Sequence, residues 1–292
     1  LLLFVLTTLT IALGGCSGDK KGDISSQITI GIPQDLEDSL DPHKMVTAGT
    51  REVLFNIFEG LVKVTSDGDF VPAVASSYEE TEGGKVYTFT LRDNVKFHDG
   101  STVTAEDVKF SLDKCADTSA GEPLVAAFSN IDSVNILDDK TVQVVLKEAD
   151  TEFLAYMTTA IIPASNADPD TNPIGTGPYK FVSRSPQENF VMERFDDYWG
   201  EPAYIKDVTF KICANADTIV MDLEGGSIDM FARVTSTQAA ELSDNFNVLE
   251  GTMNLVQALY LNNAEAPFDN EKVRQALCYA IDPQEIMMMV SD

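Results

Sequence analysis

Val86-Tyr87-Thr88-Phe89-Thr90-Leu91-Arg92-Asp93-Asn94-Val95-Lys96-Phe97-His98-Asp99-Gly100 compresses two strands and a turn into a short length of chain. Val86 to Leu91 is β-branched and aromatic with a two-residue alternation, the pattern of a strand with one buried face. Val95-Lys96-Phe97 predicts a second, short strand that ends at the turn Asp99-Gly100. Thr104 to Asp107 then forms a capping box, with Asp107 where Glu is usual, and opens a helix whose apolar positions include Val108, Phe110 and Leu112. Strand, turn and helix within one short stretch predict a mixed α/β protein.

Working outward, Gln27 to Ile32 alternates as a strand and Pro33 to Met45 is a loop. Arg51 to Leu61 carries Val53, Leu54, Ile57, Phe58 and Leu61 at helical spacing. Ile131 to Ile136 and Thr141 to Leu146 flank Asp138-Asp139-Lys140 as a hairpin, and Phe153 to Tyr156 begins a helix. Gly175-Thr176-Gly177 is a tight reversal leading into a strand from Tyr179 to Val182. Strands are also expected at Val208 to Ile212 and Leu255 to Leu261. Helices are expected at Asp217 to Glu224, closed by Gly225-Gly226, and after a Thr235 to Gln238 capping box. Another is capped by Asp269 and runs to Ile281. The order is irregular, so a regularly alternating parallel sheet is excluded.

The 292 residues hold 47 acidic and 20 basic side chains, a formal net charge of -27. A 44% hydrophobic content places the chain among globular proteins and not charge-driven disordered ones. The acidic excess excludes nucleic acid as a partner, because phosphate binding requires clustered Lys and Arg. A solvated surface that keeps an extracytoplasmic protein soluble accounts for the charge.

Leu1 to Gly15 is apolar or small and uncharged, too short to span a membrane and suited to the apolar region of a signal peptide. Leu13-Gly14-Gly15-Cys16 resembles a bacterial lipobox, which implies cleavage and lipid on the Cys16 sulfur, with 17-27 as a polar tether. The other cysteines, Cys115, Cys213 and Cys278, match neither zinc nor redox spacing and are expected as buried free thiols. Asp282-Pro283-Gln284-Glu285 starts a helix close to the last residue, so the sequence reads as a fragment cut at both ends.

Chemistry-bearing motifs are scarce. His43 and His98 sit far apart in loops without a second ligand at metal spacing, and neither H-E-x-x-H nor G-x-S-x-G occurs. Gly175-Thr176-Gly177 lacks the Lys and Ser/Thr of a phosphate loop. No catalytic residue, metal site or cofactor is expected.

Eight segments in order carry a resemblance. They are Leu40-Asp41-Pro42-His43-Lys44; Tyr87 to Gly100; Ser101 to Val108; and Gly175-Thr176-Gly177-Pro178-Tyr179. Then come Asp197-Tyr198-Trp199-Gly200 and Gly226-Ser227-Ile228-Asp229. Leu261-Asn262-Asn263 through Pro267-Phe268-Asp269 is next, and Val273 to Leu277 with Ala280-Ile281-Asp282 is last. From about Gln27 to Asp292 the chain resembles the extracellular solute-binding proteins of family 5, the oligopeptide- and dipeptide-binding components of ABC importers. Most of these residues read as structural: Trp199 packs and Arg274 braces its helix.

The resemblance implies a two-lobe periplasmic-binding-protein (type II) fold that closes over ligand. Lobe one would comprise 28-58 and 171-258, with an inserted subdomain at 59-170. Lobe two would begin at 259-292 and be largely missing. It also implies no enzyme activity, an extracytoplasmic lipid-anchored monomer, and delivery of short peptides to a membrane permease. Ligand would pair by its backbone like an added strand against Val46, Thr47 and Ala48, with Thr158, Thr159 and Tyr260 as further cleft positions. Peptide-terminus anchors would come from lobe two, so the fragment alone should bind weakly. Nickel chelate, haem or oligosaccharide are alternative ligands, and a non-transport sensor or adhesin is an alternative role.

Overall fold

Alternation of apolar side chains decides which segments become strands. Gln27–Ile32 (β1) follows it, and Ala48–Leu54 (α1) comes next. The computed structural model describes residues 26–37, 39–119, 121–213, 215–242, 244–251 and 258–290. Cys16, the expected signal segment and nearly all of the expected tether lie outside them. Val62–Val64 (β2) and Phe70–Pro72 (β3) make a small antiparallel ladder, followed by Ala75–Thr81 (β4) and Val86–Leu91 (β5). Ala105–Ala116 (α2) has the expected capping box, with Thr104 and Asp107 each accepting from the other's backbone N–H. Ile131–Asp138 (β6) and Thr141–Leu146 (β7) form the expected hairpin. Tyr179–Ser185 (β8), Asn189–Arg194 (β9) and Asp207–Ile212 (β10) lead to Ala216–Glu224 (α3), Met230–Phe231 (β11) and Ser236–Leu242 (α4). Glu271–Ala280 (α5) and Pro283–Val290 (α6) come last.

Two sheets organise these elements. One has the order β11-β1-β10-β9-β8, with β1 parallel to both neighbours and the rest antiparallel. The other has the order β4-β5-β7-β6 and is wholly antiparallel. Each has its own core. α2 buries Ala105, Val108, Leu112 and Cys115 with Tyr87, Phe89, Val142 and Val144 of the four-stranded sheet. Each fully buried Val or Leu there contributes about 1.5–3 kcal/mol. The five-stranded sheet packs Phe190, Met192, Val208 and Phe210 beneath α1. A separate cluster of Cys213, Ile219, Leu223, Ile228 and Leu242 gathers α3 and α4.

Several expectations are corrected. The helix expected at Arg51 to Leu61 runs from Ala48 to Leu54. Beyond it the Asn56 and Ile57 carbonyls accept from Tyr179 and Gly177 instead of from helix N–H groups (3.1 and 2.8 Å). Gly175-Thr176-Gly177 is therefore a close backbone approach and not simply a reversal. A Cβ on Gly175 would lie 2.1 Å from the Ile57 oxygen, and one on Gly177 would lie 2.4 Å from that of Asn56. Val95 to Phe97 forms no strand; Lys96 makes a single antiparallel bridge to Thr102. Phe153–Thr158 is a 3-10 segment. Phe110 faces outward, because the buried face of α2 follows Val108, Ser111, Leu112 and Cys115. α5 is capped by Asn270, one residue later than expected, and buries no residue. Of the strand expected at Leu255 to Leu261, 255–257 lie outside the described residues and 258–261 are irregular. Cys115 and Cys213 are buried free thiols, but Cys278 is exposed.

Candidate functional site

A groove of about 580 Å3 lies beside the expected ligand strip, between α1 and the five-stranded sheet. Because strand residues alternate in facing, β1 presents Ile28, Ile30 and Ile32 to it, and β10 and β9 add Val208, Phe210 and Met192. Ala48, Val53 and Phe55 line the opposite wall. Phe55 and Met230 stand at the mouth, 66% and 47% exposed, so apolar surface is open to whatever enters.

The charges at the rim are already committed. Glu52 pairs with Arg233. The Asp35 carboxylate lies 3.3 Å from Arg184 and accepts from the Gln187 N–H at 2.8 Å. Burial alone would raise the Asp35 pKa, but the Gln187 and Leu36 N–H groups and Arg184 hold it below the usual carboxylate value. Arg184 donates to the Glu37 and Leu36 carbonyls (2.8 and 2.9 Å), which anchors the loop before α1.

The expected ligand residues are placed unevenly. Ala48 alone among the six lines the groove. Val46, 79% exposed, and Thr47 stand beside it at the start of α1. Their backbone N–H groups donate to the Glu37 carboxylate (3.1 and 3.2 Å), so a strand-like ligand would have to displace that side chain to reach them. Thr47 is also the N-cap of α1. Thr158 and Thr159 end the 3-10 segment; the Thr158 hydroxyl donates to Ala155 O at 2.8 Å and the Thr159 N–H to Tyr156 O at 3.1 Å. Tyr260 is 91% exposed in an irregular segment. The groove residues of β1 were visible in the sequence only as a strand, because nothing local says what covers its face.

Both histidines lie between the two sheets. His43 Nε2 donates to Ala160 O at 2.8 Å, while Nδ1 is 3.7 Å from buried Asp41. Asp41 in turn takes Lys114 of α2 at 2.7 Å. His98 Nε2 donates to Gly177 O at 3.0 Å, and its Nδ1 accepts the Gly175 N–H at 3.3 Å. Burial lowers the pKa of both, that of His98 to about 4. His98 is thus tied to backbone through both ring nitrogens, whereas His43 is tied through Nε2 and its Nδ1 is buried without a hydrogen-bond partner. Burial also raises the Cys115 thiol to about 12, which leaves it an unreactive core residue. Among the described residues no group of three or more His, Cys, Asp or Glu could hold a metal ion. Trp199 packs, donating to Glu59, and Arg274 braces the start of α5 through Phe268 O at 2.7 Å. The geometry offers an apolar groove beside a hydrogen-bonded strip, an arrangement that can bind a ligand.

Comparison with known proteins identifies the family. Residues 69–292 match the profile described as bacterial extracellular solute-binding proteins, family 5 Middle. The glutathione-binding protein GsiB of Pectobacterium atrosepticum is 30% identical over 85% of this chain and 51% of its own length. The periplasmic binding protein DppA of Helicobacter pylori, in complex with the peptide STSA, superposes with a TM-score of 0.75 at 25% identity, over 90% of this chain and 58% of that one. NikZ of Campylobacter jejuni, in complex with Ni(L-His), gives 0.76 at 25% identity over 90% and 55%. The chain thus spans about half the length of the relatives it matches, and its mixed α/β architecture is that of periplasmic binding proteins. It belongs to the bacterial extracellular solute-binding proteins, family 5.

Proposed function

We propose that this chain is part of the solute-capturing component of an ABC importer, working outside the cytoplasm and taking short peptides. The observation that carries the reading is the superposition on a peptide-complexed binding protein over nine-tenths of the chain. It is supported by the exposed strip of Val46, Thr47 and Ala48 beside an apolar groove. Capture makes and breaks no bond; closure is favoured only by contacts that ligand makes better in the closed form. In this reading the five-stranded sheet belongs to lobe one, 28-58 and 171-258. The four-stranded sheet forms the inserted subdomain, 59-170, and 259-292 opens lobe two. Lipid on Cys16 would hold the protein at the membrane beside its permease.

Calorimetry on the protein expressed from its whole reading frame, with a pool of tri- and tetrapeptides and with nickel–histidine, tests this. Micromolar peptide binding, weakened at least tenfold by Ala48→Trp, is the expected result. Binding of the nickel chelate with none of any peptide would transfer the chain to the metal-chelate reading.

A further inference from the structure

Two of the passages that the chain makes between the sheet units lie side by side. Phe58 is in the core of the five-stranded sheet and Leu61 in that of the four-stranded sheet, so Glu59-Gly60 is the outgoing link. On the return, Ile161 belongs to the four-stranded core and Ile162 to the five-stranded one. The Ile161 N–H donates to Glu59 O at 2.9 Å. A Cβ on Gly60 would lie 2.5 Å from Met157 O, so the two links touch backbone to backbone. Two adjacent links with one core on either side have the geometry of a hinge.

What occupies the hinge is a buried carboxylate. Glu59 accepts from Trp199 Nε1 at 2.6 Å, from the Tyr198 hydroxyl at 2.7 Å and from the Thr176 hydroxyl at 3.4 Å. Tyr198 and Trp199 come from the connection between β9 and β10, and Thr176 from the glycine segment that packs on Asn56 and Ile57. From the other side, Arg92, at the end of β5, stacks on the Trp199 ring 4.3 Å from its centroid, and Lys63 lies over it at 5.0 Å. Arg92 Nε is held by Ala73 O at 2.6 Å. Lys63 also faces Glu59 itself, 3.9 Å away. Other links cross the boundary away from the two passages. They include the half-exposed pair of Lys96 and Asp197, a kind that contributes little, the buried pair of Asp41 and Lys114, and His98 with Gly175 and Gly177. Glu59 is the one that sits at the passages themselves.

We propose that Glu59 is the positioning residue of this hinge: its carboxylate fixes the angle between the two sheet units through Tyr198 and Trp199, and its removal lets them swivel as folded bodies. Burial raises the Glu59 pKa, in keeping with a role in accepting hydrogen bonds and not in pairing charge. Gln keeps that role, because its oxygen accepts from Trp199 and its amide donates to the Tyr198 oxygen.

The test places spin labels at Asp139→Cys and Glu188→Cys, exposed turns on either unit, in the full chain with Cys16→Ser and Cys278→Ser. Double electron–electron resonance reads the distance between them. The distribution should be narrow in the parent and in Glu59→Gln and at least twice as wide in Glu59→Ala. Trp199 is the only tryptophan, so its emission should shift to the red in the Ala variant alone. Should Glu59→Ala not fold, Tyr198→Phe with Trp199→Phe removes both donors while keeping the rings, and the same widening is expected. A distribution as narrow as the parent's in the folded variant overturns the proposal whatever the emission does, and so does an equal widening in Glu59→Gln.

Discussion

Acidification should loosen this protein through one ring, His98. Its Nδ1 accepts from the Gly175 N–H and its Nε2 donates to Gly177 O, so the folded state has no place for a second ring proton. Desolvation lowers its pKa, the Gly177 hydrogen bond opposes this in part, and Lys180 and then Asp99 add smaller pulls down and up, which together bring it from 6.5 to about 4. Phe195 meets the ring edge-on at 5.0 Å and excludes water. A lowered histidine pKa gives stability that is complete above pH 6.5 and lost as pH falls towards the folded value. From 6.5 to about 4 the loss reaches about 3 kcal/mol, with about 2 kcal/mol gone by pH 5. Other groups titrate in the same range, so the parent must be compared with His98→Gln, which reaches Gly177 O but carries no titratable ring. Urea unfolding of both at half-unit steps from pH 7.5 to 4.5 gives the difference in stability at each pH. The parent's advantage should shrink by about 2 kcal/mol between pH 7.5 and 5. A difference that stays constant across this range would refute the reasoning, because it would mean that the buried ring gains its proton as readily as a free one.

Lys114→Met should destabilise the protein by about 3 kcal/mol in urea unfolding, because it strands the buried Asp41 carboxylate. Adding Asp41→Asn should recover more than half of that loss. Gly175→Ala should cost at least about 2 kcal/mol by the same assay, since its Cβ would meet the Ile57 carbonyl and the Phe58 ring. In native protein iodoacetamide should alkylate Cys278 well before Cys115 or Cys213, read by mass spectrometry of the digest. Equal labelling of Cys115 would contradict its burial and its pKa of about 12.

Local signals carried much of the architecture. β1, β5 and the β6–β7 hairpin were legible because each alternates, and α2 and α4 because Thr104 with Asp107, and Thr235 with Gln238, cap themselves within four residues. What failed was set from far away. α1 stops at Leu54 because Gly177 and Tyr179 take the next carbonyls. β4 has no alternation to read, since most of Ser76 to Thr81 faces solvent and its pairing with β5 alone makes it a strand. The ligand strip was named from resemblance, and of it only Ala48 reaches the groove. Glu59 could have been found: an acid inside Ile57-Phe58-Glu59-Gly60-Leu61-Val62 is surrounded by core residues, and a carboxylate there needs partners.

The placement of β1 has a consequence for the order of folding. Gln27–Ile32 lies between β10 and β11, so it has no strand to pair with until residues 207–212 are at hand. The four-stranded sheet needs only 75–146, whose strands are joined mostly by short turns, so it closes first. For all of that interval an apolar strand with two open edges trails behind a finished unit, a species prone to mispairing with its own kind. Pairing distance thus orders assembly: the four-stranded sheet can close from local segments, whereas the five-stranded sheet is complete only when the two ends of its sequence meet around β1.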